Sequence, residues 1–184
     1  MDIIFNSFIF VALTEMGDKT QLLAFVLASR FRKPWTIFFG IFIATILNHL
    51  LAAWAGRFVS DLIPYVYLKW ILALTFIAFA IWVMIPDKDE GLNEKRKWGA
   101  FLTTVVTFFL AEMGDKTQLA TVALAAKYND LGLVTVGSTL GMMVTSGLAV
   151  FFGDKMTKKI PMKWVHALAA VFYVIFAIAI IVKG

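Results

Sequence analysis

Glu15, Asp18 and Lys19 belong to the octapeptide EMGDKTQL, and the same eight letters return as Glu112 to Leu119, bringing Glu112, Asp115 and Lys116 with them. On a continuous α-helix, Glu15 and Asp18 are three residues apart and Glu15 and Lys19 four apart, so each set would project from one face. Two Glu, two Asp and two Lys leave a formal charge of minus two, which one divalent cation or two protons would neutralise. The donors are hard oxygens, suited to Ca²⁺, Mg²⁺ or Mn²⁺ with about six ligands. The metal-binding set expected from the sequence is therefore Glu15, Asp18, Glu112 and Asp115.

Around these acids stand residues with supporting roles. Lys19 and Lys116 are expected to pair with carboxylates. Gln21 and Gln118 either lend an amide oxygen to the ion or hydrogen-bond a neighbouring helix. Thr20 and Thr117 should point about 140° away from the glutamates on a regular helix and back-bond to their own backbone. Asn48 and His49 lie deep in an apolar stretch, matched later in the chain by Thr145 and Ser146, and Asn48 is a candidate contact to the ion or interhelical glue. A purely structural salt-bridge knot is the competing explanation; it should balance its own charge, and this cluster has more carboxylates than lysines. Met16 and Met113 repeat with the motif but are read as packing, a thioether being a poor ligand for a hard cation.

The elements that must position these groups are membrane helices. The 184-residue chain is 61% hydrophobic and 16% charged, far more apolar than a soluble domain. Apolar runs long enough to cross a hydrocarbon layer of about 30 Å lie near Ile3 to Ala28, Trp35 to Phe58, Tyr67 to Ile85, Ala100 to Ala126, Leu133 to Phe152 and Trp164 to Val182. The first carries Glu15, Asp18 and Lys19 and lacks a basic leader, so it is expected to remain as the first span, not to serve as a signal peptide. Ionised groups in mid-span cost about 2.5 to 3.5 kcal/mol each or more, so the four carboxylates need partners. Cysteine is absent, which removes disulfides and thiolate metal sites.

The net charge of +5 is explained by topology rather than by nucleic acid. Basic residues gather at Arg30 to Lys33, Lys88 to Lys97 and Lys155 to Lys163, with fewer at Arg57, Lys69, Lys127 and Lys183 on the other side. The positive-inside rule then places both termini on the non-cytoplasmic side. Trp35, Trp98 and Trp164 fall at predicted span ends as interfacial anchors.

The two octapeptides are 97 positions apart, and the same offset pairs Gly40 with Gly137, Gly56 with Gly153 and Pro64 with Pro161. The whole chain is a duplication, and internal repeats decide architecture before other features do. The expected fold is an all-α integral membrane protein of six transmembrane helices, arranged as two three-helix repeats at 1–85 and 100–184 about a cytoplasmic linker at 86–99. Three spans per repeat is odd, so the second repeat enters from the opposite side, an inverted-topology layout used by secondary transporters. Glycine at 17 and 114 permits close helix approach or a local break.

At its two octapeptides the sequence resembles the Gdt-type cation:proton antiporters of the second cation/calcium exchanger group, which are defined by two copies of Glu-x-Gly-Asp-Lys/Arg-Thr/Ser. The resemblance spans essentially the full chain, with no departure inside either motif. It implies that the acids at Glu15, Asp18, Glu112 and Asp115 carry the family's chemistry, that the transported ion is Mn²⁺ as in bacterial members or Ca²⁺/Mn²⁺ as in Golgi members, and that protons move in return. The function expected is export of Mn²⁺, and of Ca²⁺ as a second ion, in exchange for protons, with no cofactor and no enzymatic step. A passive divalent-cation channel is the alternative. An intramembrane enzyme lacks a His-Glu-x-x-His element, and an amino-acid exporter fits four acids less well than a cation transporter does.

Overall fold

A computed structural model describes residues 2–82, 84, 99–156 and 162–183. Among them the chain forms α1 (Asp2–Glu15), α2 (Lys19–Phe31), α3 (Pro34–Leu62), α4 (Tyr65–Trp82), α5 (Ala100–Glu112), α6 (Lys116–Tyr128), α7 (Leu131–Met156) and α8 (Met162–Lys183), and no strand. Apart from Gly99, the linker expected at 86–99 lies outside the described residues, as does Trp98.

Two of the six expected spans are not single helices. The first divides into α1 and α2 and the fourth into α5 and α6, each time inside the repeated motif. With 14, 13, 13 and 13 residues at about 1.5 Å per residue, each piece is shorter than the hydrocarbon layer. The stretches Pro34–Leu62, Tyr65–Trp82 and Leu131–Phe152 are long and apolar enough to cross a membrane, and α8 has a shorter apolar run at Ala167–Val182.

The helix ends follow local chemistry. Arg32 and Asn129 take left-handed φ values of 51° and 50°, and their N–H groups close on Ala28 and Ala125, ending α2 and α6 at equivalent positions. Pro34 then opens α3, where its missing N–H costs nothing.

Packing places polar groups inside and apolar groups outside. Ser7, Thr45, Asn48, Thr117 and Ser138 are buried while Phe39, Trp54, Leu74 and Ile81 are exposed, the distribution of a membrane protein, where lipid is the outer solvent. α1 packs on α7 as α5 packs on α3, α3 packs on α6 as α7 packs on α2, and α3 meets α7. A close approach occurs at Gly56, where a Cβ would stand 2.1 Å from the Val122 carbonyl oxygen of α6. Gly56→Ala is therefore expected to force α3 and α6 apart and cost about 1–3 kcal/mol, read as a lower midpoint for thermal loss of the helical signal in detergent.

One part of the arrangement is one-sided. α4 and α8 pack on each other, α4 also on α6 and α8 also on α1, whereas the equivalent contacts of α8 with α2 and α4 with α5 are at most marginal among the described residues. Phe10, Phe76, Tyr173 and Phe176 form the aromatic centre of this cover, with ring centroids 4.5 to 6.1 Å apart.

Candidate functional site: the paired helix breaks

Each motif breaks its helix by the same means. Gly17 and Gly114 adopt φ values of +86° and +77°, a region that glycine enters without the Cβ clash other residues meet. The amide of Asp18 bonds the Glu15 carbonyl at 3.1 Å and that of Asp115 the Glu112 carbonyl at 3.2 Å, so each helix ends on its glutamate. Gln21 and Gln118 accept the Gly17 and Gly114 N–H groups at 2.9 and 2.7 Å. Their amide oxygens are thus committed to the backbone of the break. Their NH₂ groups reach other helices, Gln21 to the Thr145 carbonyl at 3.2 Å and Gln118 to Asn48 Oδ1 at 3.3 Å. Asn48 donates in turn to the Phe109 carbonyl at 3.0 Å, the role of interhelical glue rather than of a free ligand.

The break also corrects the one-face geometry expected of a continuous helix. Glu15 and Glu112 sit at the C-terminal tips of α1 and α5, while Asp18 and Asp115 occupy the N-cap positions of α2 and α6. Asp115 Oδ1 accepts its own helix's Lys116 N–H at 2.7 Å, and Asp18 makes no such cap bond. All four acids are buried.

The largest departure concerns the threonines, which do not back-bond. Thr20 Oγ1 donates to Glu15 Oε2 at 2.5 Å, and Thr117 Oγ1, from the other motif, donates to Glu15 Oε1. The break resets the rotation that a regular helix would impose, so the 140° estimate does not apply. Glu112 is 1% exposed, and neither of its oxygens has a hydrogen-bond partner among the described residues. A second bridge between the motifs is the ion pair of Lys19 Nζ with Asp115 Oδ2 at 3.3 Å. Lys116, its counterpart, is buried and lies 5.9 Å from the Trp82 ring centroid. His49 is buried with neither ring nitrogen hydrogen-bonded among the described residues, and Ser146, its match at the 97-residue offset, donates to Met142 Sδ at 3.5 Å.

The two motifs are thus brought together by Thr117–Glu15 and Lys19–Asp115. No group of three or more His, Asp or Glu side chains among the described residues is arranged to hold a metal ion. In this conformation Glu15 and Asp115 are engaged by protein partners.

One feature beside the site was missed by sequence reasoning. Thr14, next to Glu15, gives its proton to the Phe10 carbonyl at 2.7 Å, so the Tyr173 hydroxyl, 2.5 Å away, is the donor in their contact. The residues at the matching positions are Ala111 and Phe76, which carry no hydroxyl. That difference between otherwise parallel repeats was the available signal.

The chain matches the family model described as "Divalent cation/proton antiporter GDT1" over residues 3–91 and 100–184. It is 43% identical over 180 residues to the protein named "Putative manganese exporter" of Vibrio cholerae serotype O1, covering 97% of this chain and 90% of that one. It is also 30% identical over 208 residues to "GDT1-like protein 3" of Oryza sativa subsp. indica, covering 97% and 73%, and 29% identical over 209 residues to "GDT1-like protein 3" of Arabidopsis thaliana, covering 97% and 70%. No solved structure matches. With both motifs inside the matched segments, the chain belongs to the GDT1 family of divalent cation/proton antiporters.

Proposed function

We propose that this protein exports Mn²⁺, with Ca²⁺ as a second ion, in exchange for protons, through one site shared by the two helix breaks. The observation that carries the proposal is the pair of α-helices ending on buried glutamates and joined across the motifs by Thr117–Glu15 and Lys19–Asp115. The C-terminal end of a helix carries partial negative charge and favours cations, and discontinuous helices supply such ends at the membrane midplane in secondary transporters. Glu15 and Glu112 bind the ion and exchange it for protons. Asp18 and Asp115 complete or buttress the site when Lys19 releases Asp115.

The repeats at 1–85 and 100–184 are taken as inverted three-span units, with both termini outside the cytoplasm. In that topology α1 and α6 occupy the non-cytoplasmic half, and the cover that α4 and α8 place over them makes it the closed half. The other half, built by α2 and α5, is the side from which cytosolic Mn²⁺ enters.

The test is Mn²⁺ movement in proteoliposomes under an imposed pH gradient. Exchange requires that Mn²⁺ flux accelerate with the gradient and that protons move in return. Flux of equal rate without a gradient, and without proton movement, would instead identify an uncoupled channel.

A further inference from the structure

We propose that Thr20 and Thr117 are a shared pair of hydroxyl donors, handed from Glu15 to Glu112 when access passes from one side of the membrane to the other. The inference rests on the exchange reading above and adds a role for two residues that the charge and ligand arguments leave aside.

It starts from a broken symmetry. The 97-residue offset relates Glu15 to Glu112 and Thr20 to Thr117. The contact within a motif, Thr20 to Glu15, therefore has a twin in Thr117 to Glu112. The contact between motifs, Thr117 to Glu15, has a twin in Thr20 to Glu112. Only the first of each pair is formed. A threonine hydroxyl has one proton to donate, so the two donors can serve both oxygens of one glutamate or be divided, and here both serve Glu15. Glu112 is equally buried and, among the described residues, is left with no hydrogen bond to either oxygen.

The motifs are letter-for-letter identical. The mirror arrangement, with both hydroxyls on Glu112 and none on Glu15, thus uses the same donor and acceptor groups. Inverted repeats that exchange conformations produce the opposite access state, and the two threonines are then the element with two discrete positions. The glutamate without hydroxyls keeps its lone pairs for the incoming ion, and the other is held by the protein. Asn48 and the glutamines do not share this property, because their bonds stitch each break in place.

The discriminating pair is Thr20 with Glu112, for which no contact is formed here. Thr20→Val, Glu112→Asp and the double variant would be compared with the wild type for Mn²⁺ affinity, read from the electron paramagnetic resonance signal of free Mn²⁺ with purified protein. Handover predicts that the double variant departs from the product of the single effects by about tenfold, the scale of one hydrogen bond to a charged group. Thr20→Ser, which retains the hydroxyl, should restore wild-type affinity to within about twofold. Single effects that multiply without coupling would overturn the handover, as would a serine variant no better than valine, since either result leaves Thr20 a static partner of Glu15. Wild-type exchange in proteoliposomes is measured alongside. If it is absent, the exchange reading fails and the handover with it; if it is present without coupling, only the handover fails.

Discussion

Proton-driven Mn²⁺ exchange is expected to fall to background in the Glu15→Gln, Glu112→Gln double variant while the protein stays folded. Altering residues that merely support a metal ligand costs about 10- to 100-fold, so removing the two carboxylates proposed to hold the ion should exceed that. Glutamine keeps the shape of glutamate, and the two sites should respond differently in stability. Glu112→Gln removes a buried group whose oxygens have no hydrogen bonds among the described residues, so its thermal midpoint should not fall. Glu15→Gln leaves one of the donors Thr20 and Thr117 facing an NH₂ group that cannot accept, at a cost of about 1–3 kcal/mol. Substantial exchange by the double variant in proteoliposomes would remove the glutamates from the mechanism.

The second large effect is expected at Lys19. Its ammonium lies 3.3 Å from Asp115, whose side chain is 3% exposed while that of Lys19 is 28% exposed. Breaking a fully buried pair costs about 3–5 kcal/mol, but partial solvent contact at Lys19 screens part of the interaction, so Lys19→Met should cost about 1–3 kcal/mol. Exchange should fall as well, because the site then carries one more uncompensated negative charge and Asp115 loses the partner proposed to alternate with the ion. Lys19→Arg should retain most of both. Thermal unfolding in detergent and Mn²⁺ uptake by the same preparations check the two effects, and a fully active, fully stable Lys19→Met protein would exclude the alternation.

The sequence was most informative where chemistry repeats. The duplicated octapeptide located the acids and marked Gly17 and Gly114 as places for close approach or a local break, and the structure takes the break at both; the caps at Arg32 and Asn129, also 97 residues apart, carried no signal in the sequence. A continuous-helix geometry then misplaced the side chains. Whether glycine in an apolar span merely permits close packing or takes a left-handed φ depends on the partner for its freed N–H. Here that partner is a glutamine four residues on, a side chain whose direction no periodicity fixes. Once the helix breaks, the angle between Glu15 and Thr20 is set by the turn and not by 100° per residue, which is why the threonines were assigned to their own backbone. Lys19 was legible as a partner for an acid, but its choice of Asp115 across the repeat depends on how α2 meets α6. The one-sided packing of α4 and α8 was hidden altogether, because both helices are apolar over most of their surface and neither sequence says which neighbour it prefers.

The Tyr173–Thr14 hydrogen bond has no twin, since Phe76 and Ala111 stand where one would be. In the exchange proposed above, that bond belongs to one posture only and contributes about 1 kcal/mol, or roughly fivefold in population, to the posture that holds it. It would add a resting bias toward one compartment that the duplicated octapeptides alone would not supply.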